Sequence, residues 1–152
     1  MRKALRYLVI HCTATPEGRE VSAADIRRWH TAPVGAGGRG WRQVGYSDLV
    51  HLDGTIEHLV GNNEDDWVDP WEVTNGVAGY NAVSRHIVYV GGCAADATTP
   101  KDTRTAAQRE ALAAYVRDFH RRHPKVKIVG HRDLAPKACP SFDVAAWLKE
   151  IL

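Results

Sequence analysis

Leu5-Arg6-Tyr7-Leu8-Val9-Ile10, followed at once by His11-Cys12, decides how this chain is read. A short, nearly continuous apolar run suits a strand buried on both faces, so it predicts a central strand with a histidine where it stops. The pattern returns near the other end, where Val126 to Gly130 leads into His131. Running parallel, these two strands release His11 and His131 at the same edge of the sheet, where open α/β folds build their sites.

The segments between fill in the rest of the sheet and its cover. Ser22 with Asp25 resembles a capping box, with Asp in place of the usual Glu or Gln, and Ile26, Trp29 and His30 follow at helical spacing, which predicts a helix from Ala23 to Thr31. Pro33 to Gly40 holds four glycines in eight residues and reads as an exposed loop beside the binding site. Tyr46–Leu52 and Thr55–Val60 flank Asp53-Gly54, the dipeptide of a type I′ hairpin, whose register would set His51 opposite Ile56 and His58 opposite Leu49. Asn62 to Asn75 mixes acidic residues with Trp67 and Trp71 and reads as an ordered loop. Arg85–Val90, ending at Gly91-Gly92, is a further buried strand. Thr105 and Gln108 cap the longest helix, through His120, and Asp143 to Leu152 closes the chain as an amphipathic helix. The order predicts an α/β fold: one domain over residues 1–152, with a mixed central β-sheet flanked by α-helices.

Composition narrows the partners. Twenty Lys and Arg stand against 18 Asp and Glu, so a formal charge of +2 offers none of the basic excess that nucleic-acid binders carry, and no nucleic acid is expected. No stretch approaches the roughly 20 apolar residues of a membrane span, and Leu5–Ile10 is shorter than a secretory signal's core. The expectation is cytoplasmic synthesis without a signal peptide, no membrane insertion, and a monomer. Three cysteines without an export signal argue against a disulfide framework and for thiols that pack or bind metal.

Cys139 is the thiol with chemistry. It lies eight residues after His131 in Ala135-Pro136-Lys137-Ala138-Cys139-Pro140, where each proline presses its predecessor into extended backbone. Residues two apart in an extended segment share a side, so Lys137 is placed beside Cys139. Two imidazoles and a thiolate compose an open zinc site. A thiolate leaves the metal a weaker acid than a third imidazole would, so protein groups must help with proton transfer and oxyanion charge; Tyr46 and Lys137 are the candidates. Plainer readings attach to the other residues. Cys12 and Cys93 border or lie in apolar strands and pack as small hydrophobes. His120 and His123 sit at a helix end as solvated capping residues. His51 and His58 are diagonal neighbours at best, and Glu64–Asp66 lacks the spacing of an EF-hand.

Several blocks resemble the zinc-dependent N-acetylmuramoyl-L-alanine amidases of the type 2 amidase and peptidoglycan-recognition superfamily. They are Ile10-His11-Cys12-Thr13-Ala14-Thr15, Ile26-Arg27-Arg28-Trp29-His30, Gly45-Tyr46, Asp53-Gly54-Thr55, Gly79-Tyr80-Asn81 with Ser84, Val90-Gly91-Gly92, and Ala135 through Asp143. The resemblance spans nearly the whole chain. It implies that His11, His131 and Cys139 ligate Zn2+, that Tyr46 and Lys137 form the catalytic pair, and that the substrate is peptidoglycan, cut between N-acetylmuramic acid and L-alanine. Three departures stand out. Ser47-Asp48 follows the tyrosine where relatives often have histidine; Gly76 occupies the position of a histidine ahead of the Gly-Tyr-Asn block; and the loops Pro33–Gly40 and Asn62–Trp71 are longer. Two rival readings are a peptidoglycan-recognition module that binds without cutting, and a thiol hydrolase with Cys12 or Cys139 as nucleophile. A wall-acting enzyme without an export signal implies release through a membrane lesion, as for a phage or prophage lysin.

Overall fold

The computed structural model describes residues 1–152. In chain order its elements are β1 (Lys3–Ala4), β2 (Tyr7–Cys12), β3 (Thr15–Pro16), α1 (Ala23–Thr31), β4 (Asp48–Val50), β5 (Ile56–His58), β6 (Trp67–Val68), β7 (Ser84–Tyr89), β8 (Gly92–Cys93), α2 (Ala106–Arg122), β9 (Lys127–Gly130) and α3 (Val144–Ile151). Five strands form the central sheet in the order β5-β4-β7-β2-β9. β2 lies parallel to both β7 and β9, β4 is parallel to β7, and only the β4–β5 pair is antiparallel, so the sheet is mixed as expected.

Alternation along β2 divides its side chains between two layers. Leu8, Ile10 and Cys12, with Ile87 and Tyr89 of β7, face α2 and α3 and pack on Leu112, Val116, Phe119 and Trp147. On the opposite face Ile26 of α1 packs with Leu49, Val88 and Val90. The intervening position, His11, therefore projects to the α1 side, where its ring lies 5.1 Å from that of Tyr46.

Local chemistry explains where the helices start. Ser22 Oγ accepts the Asp25 N–H and Asp25 Oδ2 accepts the Ser22 N–H, both at 3.0 Å, so the Asp variant of the capping box is functional. Ala32, held in extended backbone ahead of Pro33, ends α1. At α2, Thr105 Oγ1 accepts the Gln108 N–H and also donates to the Leu52 carbonyl at 2.7 Å. The fully buried Gln108 amide donates to the Val90 and Val50 carbonyls, which ties the helix start to the sheet.

Three expectations need correction. The hairpin exists, but its register is Val50↔Ile56 and Asp48↔His58, one residue away from the two-residue turn. A turn spans His51–Gly54 with Gly54 alone at positive φ (86°), whereas a type I′ turn needs two such residues. Asn62–Asn75 is not entirely loop, because Trp67–Val68 forms β6 against β1. His123 is not a solvated cap: it is 2% exposed, lies against Phe119, and pairs through Nδ1 with Asp66 at 2.6 Å. No helix is long and apolar enough to cross a membrane.

Candidate metal centre and active site

β2 and β9 are in register at Ile10↔Gly130, so the residues that follow, His11 and His131, leave the sheet side by side with ring centroids 4.8 Å apart. His131 opens a short 3-10 turn, anchored by the Gly130 N–H to Asp133 Oδ2 at 2.8 Å. The segment beyond folds back onto the strand ends. The Arg132 N–H donates to the Cys139 carbonyl at 2.8 Å, Tyr89 OH donates to the Pro140 carbonyl at 2.6 Å, and the Cys12 N–H donates to Cys139 Sγ at 3.2 Å. Gly130 makes this return possible, since a Cβ there would lie 2.8 Å from Pro140 Cδ and 3.0 Å from Val144 Cγ2.

The result is a cluster in which the potential ligand atoms of His11, His131 and Cys139 all lie within 4.8 Å of one another. His11 is buried while the other two are half-buried, so the cluster has an inner wall and an open side. Burial, then the neighbouring His86 and His131, holds the His11 imidazole well below its ordinary value; burial, then Lys137, does the same to His131. Both rings are therefore neutral at pH 7, with lone pairs to offer. The adjacent Cys12 thiol and burial push the Cys139 thiol up, so a bound cation is what would favour its thiolate. Two neutral imidazoles and one sulfur within reach of a common point are a donor set that suits Zn2+ with one position free.

A groove of about 290 Å³ opens over the cluster, lined by Tyr46, Lys137 and His131 together with Arg39, Trp41 and Gly76. The glycine-rich loop predicted to lie beside the site delivers Arg39 to it. Burial, and then the Cys139 and Cys12 sulfurs, push the Tyr46 phenol up, so it stays a neutral donor. His30, a helix-face residue that also ends the Ile26–His30 block, steers this tyrosine: its Nδ1 accepts the Gly45 N–H at 2.9 Å and its ring packs 5.3 Å from that of Tyr46. Burial, then Arg39, lowers His30 to about 4, which keeps that acceptor free of a proton.

His86 belongs to no motif in the sequence. It is fully buried on β7, with Nδ1 2.9 Å from His11 Nε2 and Nε2 3.0 Å from Asn81 Oδ1. Its only sequence signal is that it lies in a predicted strand beside the first, where parallel pairing brings it opposite Val9. The remaining candidates lie elsewhere. His51 is held by Glu20 and Glu57, and His58 by Asp48. Asp65 and Asp66 of the acidic run are engaged with Arg85 and His123. Cys12 and Cys93 are both buried, as expected of packing residues.

Comparison with known proteins adds a family to this geometry. The profile of the N-acetylmuramoyl-L-alanine amidase family matches residues 1–142. This chain belongs to that family. It is a peptidoglycan amidase, a hydrolase of the amide bond between N-acetylmuramic acid and L-alanine. Among curated relatives, the amidase is 35% identical to an endolysin of Enterobacteria phage K11 over 97% of this chain and 88% of the relative. It is 31% identical to the endolysin of Escherichia phage T7 over 96% of this chain and 87% of the relative. Among solved structures, the Ph2119 endolysin from the Thermus scotoductus MAT2119 bacteriophage superposes with a TM-score of 0.73 at 27% identity, covering 97% of this chain and 84% of the other.

Proposed function

We propose that the chain is a zinc-dependent, endolysin-like amidase in which His11, His131 and Cys139 hold the ion and Tyr46 and Lys137 are the catalytic pair. The convergence of two imidazoles and a thiol, 128 positions apart at the extremes, on one cluster that His131 joins to the groove carries this reading. Zn2+ bound there supplies Lewis-acid polarisation of the scissile carbonyl and a water made acidic enough to react near neutral pH. The protein's own groups do the rest. Lys137 brings an ammonium to the groove and stabilises negative charge as it grows on the amide oxygen. Tyr46, kept protonated by burial, donates a hydrogen bond to the reacting oxygens and assists proton transfer to the leaving nitrogen. Arg39 and Trp41 line the groove at hand for the muramyl-peptide substrate, the one a cation and the other an aromatic surface.

The relatives named as endolysins support a role in opening the bacterial wall. On this reading the enzyme reaches the wall by release through a membrane lesion, and a monomer suffices because every proposed residue comes from one chain. The test is mass spectrometry of purified peptidoglycan after digestion. Peptides with a free L-alanine amino terminus and intact glycan strands are expected, with activity lost on chelation and restored by zinc. Wall binding without cleavage identifies a recognition module instead. Cleavage that survives chelation but not alkylation identifies a thiol nucleophile.

A further inference from the structure

We propose that His86 is a positioning residue for the metal site: with Asn81 it fixes His11 in the Nε2–H tautomer and so makes Nδ1 the ligand atom. This rests on the reading of His11 as a metal ligand. The orientation of the relay follows from one backbone contact. The Val77 N–H donates to the Asn81 side-chain oxygen at 2.8 Å, which identifies that atom as Oδ1. The same oxygen lies 3.0 Å from His86 Nε2, so that nitrogen carries the hydrogen and donates. His86 is fully enclosed with no carboxylate among its partners, so nothing there supports a second ring proton; its Nδ1 is a bare acceptor and sits 2.9 Å from His11 Nε2. His11 must donate there, which leaves the lone pair on Nδ1, the nitrogen 3.7 Å from Cys139 Sγ. Every hydrogen in the chain from His11 through His86 to Asn81 points away from the metal position; the His11–His86 step is buried and the His86–Asn81 step half-buried. Hydrogen-bonded partners behind a ligating histidine set its tautomer and ring orientation, and their loss weakens metal affinity by about 10- to 100-fold.

A second observation shows that the place is built for this ring. A Cβ on Gly76 would lie 2.3 Å from His86 Nδ1 and 2.5 Å from its Cγ. Gly76 is not among the residues at positive φ, so its missing side chain serves space rather than backbone conformation. The imidazole of His86 thus occupies the volume that any side chain at position 76 would take, between the groove wall and His11.

The experiment uses the whole chain. Nitrogen-15 NMR of the histidine rings in zinc-free protein is expected to show His11 as the Nε2–H tautomer. Zinc affinity, measured by competition with a chromophoric chelator, is expected to fall about 10- to 100-fold in His86→Leu. It should stay within a few-fold of the parent in His86→Gln, whose carbonyl can accept from His11 while its amide donates to Asn81. His11 found as the Nδ1–H tautomer overturns the proposal even if His86→Leu fails to fold. A folded His86→Leu that binds zinc like the parent, beside a His11→Ala that does not, overturns the relay alone. His11→Ala with unchanged zinc affinity overturns the ligand assignment beneath it.

Discussion

Gly130 of β9 lies under Pro140, with no room for a methyl group between its Cα and the proline ring. This contact links the end of a strand to the segment that brings Cys139 home. Gly130 has φ of −89° and ψ of 158°, a conformation open to alanine, so a substitution there acts only through crowding. Gly130→Ala would place Cβ 2.8 Å from Pro140 Cδ and 3.0 Å from Val144 Cγ2 and must move one or both. The expected cost is about 1–3 kcal/mol of stability, from overpacking. Because Pro140 follows Cys139 directly, zinc affinity should fall as well. Urea denaturation and chelator competition measure the two effects; unchanged zinc binding in a destabilised variant would show that the Cys139 segment adjusts independently of β9.

Tyr46 and Lys137 should separate from the ligands in kinetics. Lys137→Ala is expected to reduce kcat by about 10²- to 10³-fold, the usual loss when one oxyanion-stabilising group is removed. Tyr46→Phe should lose about 10²- to 10⁴-fold if its hydroxyl serves in proton transfer. Both variants should retain the parent's zinc stoichiometry, measured by elemental analysis, whereas His131→Ala should lose metal and activity together. A Lys137→Ala protein that turns over at the parent rate removes that residue from the chemistry.

What was legible in the sequence was what short-range patterns encode. The apolar runs before His11 and His131 announce buried strands, and the boxes at Ser22–Asp25 and Thr105–Gln108 need partners only three residues apart. The three proposed ligands can be grouped because strand ends locate two of them and prolines stiffen the path to the third. The hairpin register departs from the expected one because Asp53-Gly54 specifies a turn region without specifying which residues close it. His86 carries no local signal, and His123 reads from its helix end as a solvated cap, for another reason. Their partners lie 75 and 57 positions away, so only the assembled sheet reveals what each histidine touches. β6 escaped for the same cause, since a two-residue strand exists only by virtue of its pairing with β1.

Gly76 and His86 should behave as a coupled pair. Gly76→Ala in the parent is expected to cost about 1–3 kcal/mol, since its methyl group enters the His86 ring. In a His86→Ala background the same change meets a vacated space and should cost much less, giving a coupling of about 0.5–3 kcal/mol in a double-mutant cycle. Additive effects would mean that Gly76 accommodates a side chain by moving its own loop, and that the two positions do not share a volume.

His51 supplies a pH dependence remote from the groove. Its Nδ1 lies 3.0 Å from Glu20 and its Nε2 2.9 Å from Glu57, so both ring nitrogens donate only when the imidazole is charged. Partial burial pulls its pKa down, but the hydrogen bonds and charges of the two carboxylates pull it further up, and the net direction is upward from 6.5. A folded-state value above the unfolded one means that the charged form favours folding. The contribution is complete below about pH 6.5, while the glutamates remain ionised, and disappears as pH rises through the folded-state value. His51→Gln should therefore destabilise the protein more at pH 6 than at pH 9, because only the parent gains from protonation at the lower pH. Urea unfolding of both proteins at the two pH values checks this; a stability gap that is the same at both, or wider at pH 9, would mean that the carboxylates do not hold His51 in its charged form.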